Sequence, residues 1–258
     1  RIPLRVRSMV GLVPLFTAQV LTDELIGGLR GFQKRLDWFL TYRRDLAKHI
    51  SYMETIDASA SGGRHLLAIP SRQRLERVLR YVLDENEFLS PYGIRSLSKY
   101  HLEHPYVFQC NGQEFRVDYV PGESNTNFFG GNSNWRGPIW LPVNYLLIEA
   151  LERYHHFYGD DLRVECPTGS GRWMNLAEAA QELSSRLVRL FLPNDKGLRP
   201  FRGHRQGASP ASDCDDFLLF HEYFHAETGA GLGASHQTGW TSLVAECLRK
   251  TARGKASR

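Results

Sequence analysis

The side chains best suited to chemistry in this sequence gather in two stretches. The first, Gly130-Gly131-Asn132-Ser133-Asn134-Trp135-Arg136-Gly137-Pro138-Ile139-Trp140, sets amides, indoles and a guanidinium side by side ahead of an apolar run. A pyranose presents C–H faces that stack on an aromatic ring and hydroxyls that need donors and acceptors, so Asn134, Trp135 and Arg136 suit a sugar site. Trp140 fits a buried helix start better. The second stretch, His221-Glu222-Tyr223-Phe224-His225, follows an apolar segment and precedes Gly229-Ala230-Gly231-Leu232-Gly233 and Ser235-His236-Gln237-Thr238-Gly239-Trp240. A carboxylate in a loop-lined pocket is what glycosidic hydrolysis requires. In the inverting form one carboxylate deprotonates water while a second carboxylic acid protonates the leaving oxygen, the two standing roughly 6.5 to 9.5 Å apart.

Other chemistries share these residues. His221-Glu222-Tyr223-Phe224-His225 matches H-E-x-x-H, which on a helix turns two imidazoles to one side for zinc and leaves the Glu as general base, with Glu246 as a candidate third ligand. The following Ala226-Glu227-Thr228-Gly229 does not continue a helix, so the ligand pair lacks rigid support. A zinc-dependent hydrolase is the alternative, and no metal is assigned. The glycine run also imitates a phosphate-binding turn, but a dinucleotide fingerprint needs a βαβ setting that is missing here. A sharp turn, or a close pass of backbone by a ligand, is the more natural reading of those glycines. A non-catalytic carbohydrate-binding helical domain is the remaining alternative.

What positions these loops is helical. Leu25, Leu29, Phe32, Leu36 and Phe39 step by four and three, with Asp23 and Glu24 in the first turn, and predict one long amphipathic helix. Ser71 caps a stripe of Leu75, Val78, Leu79, Val82 and Leu83, while Asn175 with Glu178 makes a capping box for Leu176, Ala180, Leu183, Leu187 and Leu190, ended by Pro193. Pro138 opens a run through Val143, Leu147, Leu151 and Tyr154, with Pro142 tolerated in its first turn, and Trp240, Leu243, Val244, Cys247 and Leu248 mark a last helix. Val107 to Val120 alternates around Asn111-Gly112 as the one clear β-hairpin. The expectation is an all-α chain, 1–258 forming part of one domain, with long loops that line a site.

The composition narrows the partners. With 258 residues and 42% apolar content the chain can bury a core without disulfide or metal staples. Its 32 basic and 28 acidic side chains leave a net charge of only +4 and no basic block, which argues against nucleic acid. The longest nearly apolar stretch, Ile139 to Ile148, is half a membrane span, so no membrane is expected as partner. Cys110, Cys166, Cys214 and Cys247 lie far apart, and a reducing, cytoplasmic location follows as an expectation. The chain starts without Met and turns apolar soon after Arg7, as a piece of a longer polypeptide would.

Asn134-Trp135-Arg136-Gly137-Pro138-Ile139-Trp140 with Pro142-Val143-Asn144-Tyr145-Leu146, and His221-Glu222-Tyr223-Phe224 with Gly233-Ala234-Ser235-His236-Gln237-Thr238-Gly239-Trp240-Thr241, resemble glycoside hydrolase family 63. The resemblance runs from about Val6 to Lys250. It implies an (α/α)6 toroid, inverting hydrolysis of an α-glucosidic or related hexosyl bond in an oligosaccharide or small glycoside, and no cofactor. It assigns Glu222 as general base and Asn134, Trp135, Arg136, Gly137, His236, Gln237 and Trp240 as sugar contacts, with Arg95 a further candidate. The family's acid, an Asp on an earlier helical hairpin, has no counterpart here, and the helices are about half of a toroid's complement. A C-terminal half-toroid is therefore expected. Its first apolar residues, Val10, Leu12, Val13, Leu15 and Phe16, should then be uncovered, Trp135 and Arg136 should share a cavity with Glu222, and neither Asp118 nor Glu123 should stand in for the acid.

Overall fold

The computed structural model describes residues 3–55, 63–126, 135–203 and 217–256. A 3-10 helix, Met9–Phe16, leads into β1 (Gln19–Thr22), then α1 (Asp23–Gly28), α2 (Arg30–Tyr42), α3 (Arg44–Ala47), β2 (Ser51–Thr55), β3 (Arg64–Ala68) and α4 (Arg72–Val82). β4 (Leu89–Ser90), β5 (Gly93–Ile94), β6 (Tyr106–Cys110) and β7 (Gln113–Val117) precede α5 (Leu141–Tyr158), followed by β8 (Arg163–Glu165), β9 (Trp173–Asn175) and α6 (Leu176–Arg189). The C-terminal part holds β10 (Tyr223–Phe224), β11 (Gly231–Leu232), α7 (Thr238–Thr241) and α8 (Val244–Ala256).

The core is helical. α5 packs against α6, and α6 against α8. Leu147, Ile148, Leu151 and Tyr154 of α5 meet Leu176, Ala180, Leu183 and Leu187 of α6, with Val244 and Cys247 of α8 closing the far side. α6 begins with the expected capping box: Glu178 N–H donates to Asn175 Oδ1 at 2.9 Å and Asn175 N–H to Glu178 Oε2 at 2.9 Å. Pro142 lies in the first turn of α5, where its missing N–H costs nothing. Asn144, on the buried face of α5, accepts from Ile94 N–H at 2.6 Å and donates to the Ile94 carbonyl at 3.0 Å, tying β5 to the helix.

Three expectations change. The chain is helical but not all-α, because five small antiparallel sheets punctuate the described residues. Only β6–β7, turning at Asn111 (φ 50°) and Gly112 (φ 75°) as a two-residue hairpin does, carries enough alternation to be read from sequence. The long helix from Asp23 is broken into α1, α2 and α3, and its stripe is only partly covered among the described residues: none of α2 is fully buried, Leu36 and Phe39 are half-buried, and Phe32 is 41% and Trp38 54% exposed. The apolar N-terminal run splits by face. A 3-10 helix repeats every three residues, so Met9, Leu12 and Leu15 are buried together, Val10 and Val13 are 78% and 48% exposed, and Phe16 is half-buried. Leu12 and Leu15 thus depart from the expected exposure.

Candidate active site

Glu222 stands at the entry of the β10–β11 hairpin, where Tyr223 pairs with Leu232 and Phe224 with Gly231. Its N–H donates to the Ala234 carbonyl at 2.8 Å, and its carbonyl accepts from the Trp240 indole N–H at 3.0 Å. The carboxylate reaches back over the facing strand, Oε2 accepting from Ala234 N–H at 3.4 Å. Gly233 makes this possible. A Cβ there would sit 2.8 Å from Glu222 Oε2 and 2.7 Å from the Tyr223 ring, and its φ of +65° suits glycine. Gly231 serves His221 in the same way, a Cβ at that position falling 2.2 Å from the imidazole. The glycine run is therefore close backbone, as expected, but what it admits are side chains of the facing segment.

An aromatic group adjoins the carboxylate. Trp135 stacks on Trp140 at 4.1 Å and 4°, Trp140 stacks on Tyr223 at 4.9 Å, and Trp240 meets Trp140 edge-on at 6.2 Å. Trp140 is buried, while Trp135, at the outer end, stays 43% exposed and presents an open ring. The Tyr223 phenol is held protonated: burial raises its pKa above the usual range, reinforced by its hydrogen bond to Glu123 and by the charges of Glu123 and Glu222.

The remaining candidates divide. Arg136 is buried and donates to the Arg116 carbonyl at 3.0 Å, so its guanidinium turns under the β6–β7 hairpin. With Trp135 it borders an apolar cavity of 850 Å³ walled by Val6, Leu97, Phe108, Phe115 and others, a cavity Glu222 does not line. The shared cavity expected from sequence is thus not the one these two residues border. Arg95 is 2% exposed and bonds inward, to Tyr119 Oη at 3.0 Å, to Glu227 Oε1 at 2.9 Å and to the Leu89 carbonyl. It is a clamp on the turn after Glu222, out of a ligand's reach. Gly137 is a close-pass position, since a Cβ there would fall 2.4 Å from the Val120 carbonyl. His236 is exposed, Gln237 is half-buried with its N–H on the Phe220 carbonyl at 2.8 Å, and Trp240, partly open, is the one of the three whose contact with Glu222 is direct, through its indole N–H. Asn134 lies outside the described residues.

The zinc alternative loses its geometric premise. His221 and His225 flank a strand rather than sharing a helix face, and their rings pack on different segments, over Gly231 and Gly122. Glu246 pairs with Arg249 at 2.6 Å. Among the described residues no three His, Cys, Asp or Glu side chains converge as a metal site needs. His225 Nδ1 instead accepts from the Glu227 and Thr228 N–H groups, each at 3.2 Å, and burial lowers its pKa against the weaker upward pull of Glu227.

Sequence reasoning considered Glu123 only as a substitute acid and passed over Glu227. Tyr223 Oη donates to Glu123 Oε2 at 2.6 Å and Gly233 N–H donates to Glu123 Oε1 at 3.4 Å, so a loop residue 110 positions before Gly233 meets the glycine on which the Glu222 carboxylate rests. Glu227 accepts from Tyr119 Oη at 2.6 Å besides Arg95. Each of these bonds is long-range, and no local spacing announces it.

The site joins a carboxylate on a glycine-rich hairpin to a group of stacked indoles, a mixture compatible with a carbohydrate ligand. The pattern of the mannosylglycerate hydrolase MGH1-like glycoside hydrolase domain matches residues 61–241, and the chain belongs to that family. It is 48% identical over 250 residues, 96% of its own length, to an uncharacterized protein of Saccharomyces cerevisiae, of which it spans 23%. It is 30% identical over 177 residues to a protein of Schizosaccharomyces pombe named probable mannosyl-oligosaccharide glucosidase, covering 68% of this chain and 15% of that one. The mannosyl-oligosaccharide glucosidase of Saccharomyces cerevisiae is 25% identical over 176 residues, again 68% of this chain and 15% of that one. The chain thus spans less than a quarter of the curated relatives it matches. No solved structure matches it. No helix among the described residues is long and apolar enough to cross a membrane.

Proposed function

We propose that the chain supplies the general base and part of the sugar-binding surface of an inverting glycosidase acting on an α-glucosyl or related hexosyl oligosaccharide, within half of an (α/α)6 toroid. Glu222 is the base. The observation that carries this reading is its placement, a carboxylate fixed over Gly233 by the Ala234 amide, with Trp240 bonded to its own carbonyl and the open Trp135 ring linked to neighbouring Tyr223 through the Trp140 stack. The carboxylate would take a proton from the attacking water while the ring supports one sugar face. In this reading the proton for the leaving oxygen comes from a carboxylic acid outside these 258 residues. Glu123 is not assigned that role, because its two oxygens are engaged by the Tyr223 hydroxyl and the Gly233 amide, the groups that flank Glu222.

The test is Glu222→Gln in the natural full-length protein, assayed on α-glucosides with glucose release as readout. The amide keeps the shape but cannot accept the proton, so turnover should fall roughly 10²- to 10⁴-fold with KM nearly unchanged. Full activity in that variant would remove Glu222 from the mechanism.

A further inference from the structure

We propose that Glu123 is a positioning residue for Glu222, anchoring from the loop before Trp135 the two pieces of backbone and ring against which the Glu222 carboxylate rests. The proposal rests on the reading of Glu222 as base. Four contacts carry it. The Pro121 carbonyl accepts from Ala226 N–H at 2.9 Å, which lays the loop along the segment after β10. Gly122 lies so close to the His225 ring that a Cβ would stand 2.8 Å from it, so the loop cannot slide without a clash. From that fixed point Glu123 Oε2 takes the Tyr223 hydroxyl at 2.6 Å, and Oε1 takes the Gly233 amide at 3.4 Å.

Tyr223 and Gly233 are the two groups that bound Glu222. The Tyr223 ring and the Glu222 carboxylate both press on the position where Gly233 lacks a Cβ, and Ala234, the next residue, gives its N–H to Glu222. One carboxylate, Glu123, therefore ties the ring on one side and the peptide on the other. Tyr223 is itself buried and stacked on Trp140, so its bond to Glu123 acts on a ring already confined. Loss of either bond would let the Gly233–Ala234 edge shift, and with it the oxygen that must meet water. Displacement of a reacting group by about 1 Å is enough to cost on the order of a hundredfold in rate.

Glu123→Gln tests this in the full-length protein, beside Glu222→Gln. The amide can accept one hydrogen bond through its oxygen, but its nitrogen cannot accept the other. The expected result is a fall in kcat of about a hundredfold with KM changed less than about twofold, because the sugar platform is untouched while the base is misplaced. Tyr223→Phe should give a fall of the same kind, and the double variant should lose no more than the worse single one, since both cut the same link. The Tyr223→Phe comparison also keeps the idea testable if Glu123→Gln does not fold. An inactive Glu222→Gln with an unimpaired kcat in both Glu123→Gln and Tyr223→Phe would overturn the positioning role and leave the base reading standing. A fully active Glu222→Gln would overturn both. Additive losses in the double variant, or a change confined to KM, would likewise exclude the linkage.

Discussion

Trp135 and Trp140 are neighbours in one stack, 4.1 Å apart, yet they should answer substitution in different ways. Trp140 is enclosed at the start of α5 and touches Tyr223 and Trp240 as well, so Trp140→Ala opens a cavity and should cost about 3–5 kcal/mol of stability. Trp135 keeps one face open. Trp135→Ala should leave the denaturation midpoint nearly unchanged and raise KM by roughly tenfold at most, the worth of one aromatic contact of about 0.5–1.5 kcal/mol. Chemical denaturation and steady-state kinetics on the two variants check the contrast, and a Trp135→Ala protein with wild-type KM would take that ring out of the sugar site. Both indoles stand in one short motif, and their types suggested the division of labour. The position of Arg136 was illegible, because a guanidinium flanked by glycine and tryptophan can point either to ligand or inward. The deciding partner, the Arg116 carbonyl, comes from a hairpin 20 residues away.

At the scale of elements, the turn after β10 is held by two groups whose titration works in the same direction. Glu227 has its pKa lowered: burial alone would raise it, but the Tyr119 hydroxyl and the Arg95 charge outweigh that. Its share of stability is therefore complete above its unfolded pKa of about 4.3 and is lost as pH falls through the lower folded value. His225 has its pKa lowered by burial, and its neutral Nδ1 accepts two backbone amides. A ring that prefers to stay neutral when folded loses stability below its unfolded pKa of about 6.5, where only the unfolded chain takes the proton readily. Urea midpoints should thus fall in two stages, the first below about pH 6.5 and the second below about pH 4.3. Glu227→Gln should shrink the second stage, to which Glu149 and the other carboxylates with lowered pKa still contribute, and keep the first. A midpoint that is flat between pH 7 and 4 would show that the turn does not contribute. The helices on either side were readable because caps and apolar stripes are local, as Asn175 and Glu178 illustrate. The two-residue strands that carry Glu222 were not, for so short a pairing has no period and exists only through its partner.

For the whole molecule, the distribution of uncovered apolar surface sets the behaviour of these 258 residues by themselves. α2 leaves Phe32 exposed and Leu36 and Phe39 only half-buried among the described residues, and Val10 and Val13 stand out from the N-terminal 3-10 helix, Val10 at the rim of the 850 Å³ apolar cavity. Contiguous patches of this kind mark surfaces meant to be covered, and left open they drive association. In the half-toroid reading the cover is further helical hairpins of the same polypeptide. The amphipathic stripe from Leu25 to Phe39 was visible in the sequence, whereas its incomplete cover among the described residues could emerge only once the fold showed where the α5–α6–α8 core ends. The isolated chain should consequently bind a hydrophobic dye in its native state and self-associate with rising concentration, and it should release no glucose from α-glucosides. Phe32→Lys combined with Leu36→Glu, placed on a helix with no buried residue, should reduce both dye binding and association while changing the unfolding midpoint little, since surface substitutions of this kind are worth about 0.5 kcal/mol or less. Sedimentation of the two proteins side by side decides the matter. A strictly monomeric, dye-negative wild-type chain would show that the α2 face tolerates water, and glycosidase activity from this chain alone would show that its own residues include the acid.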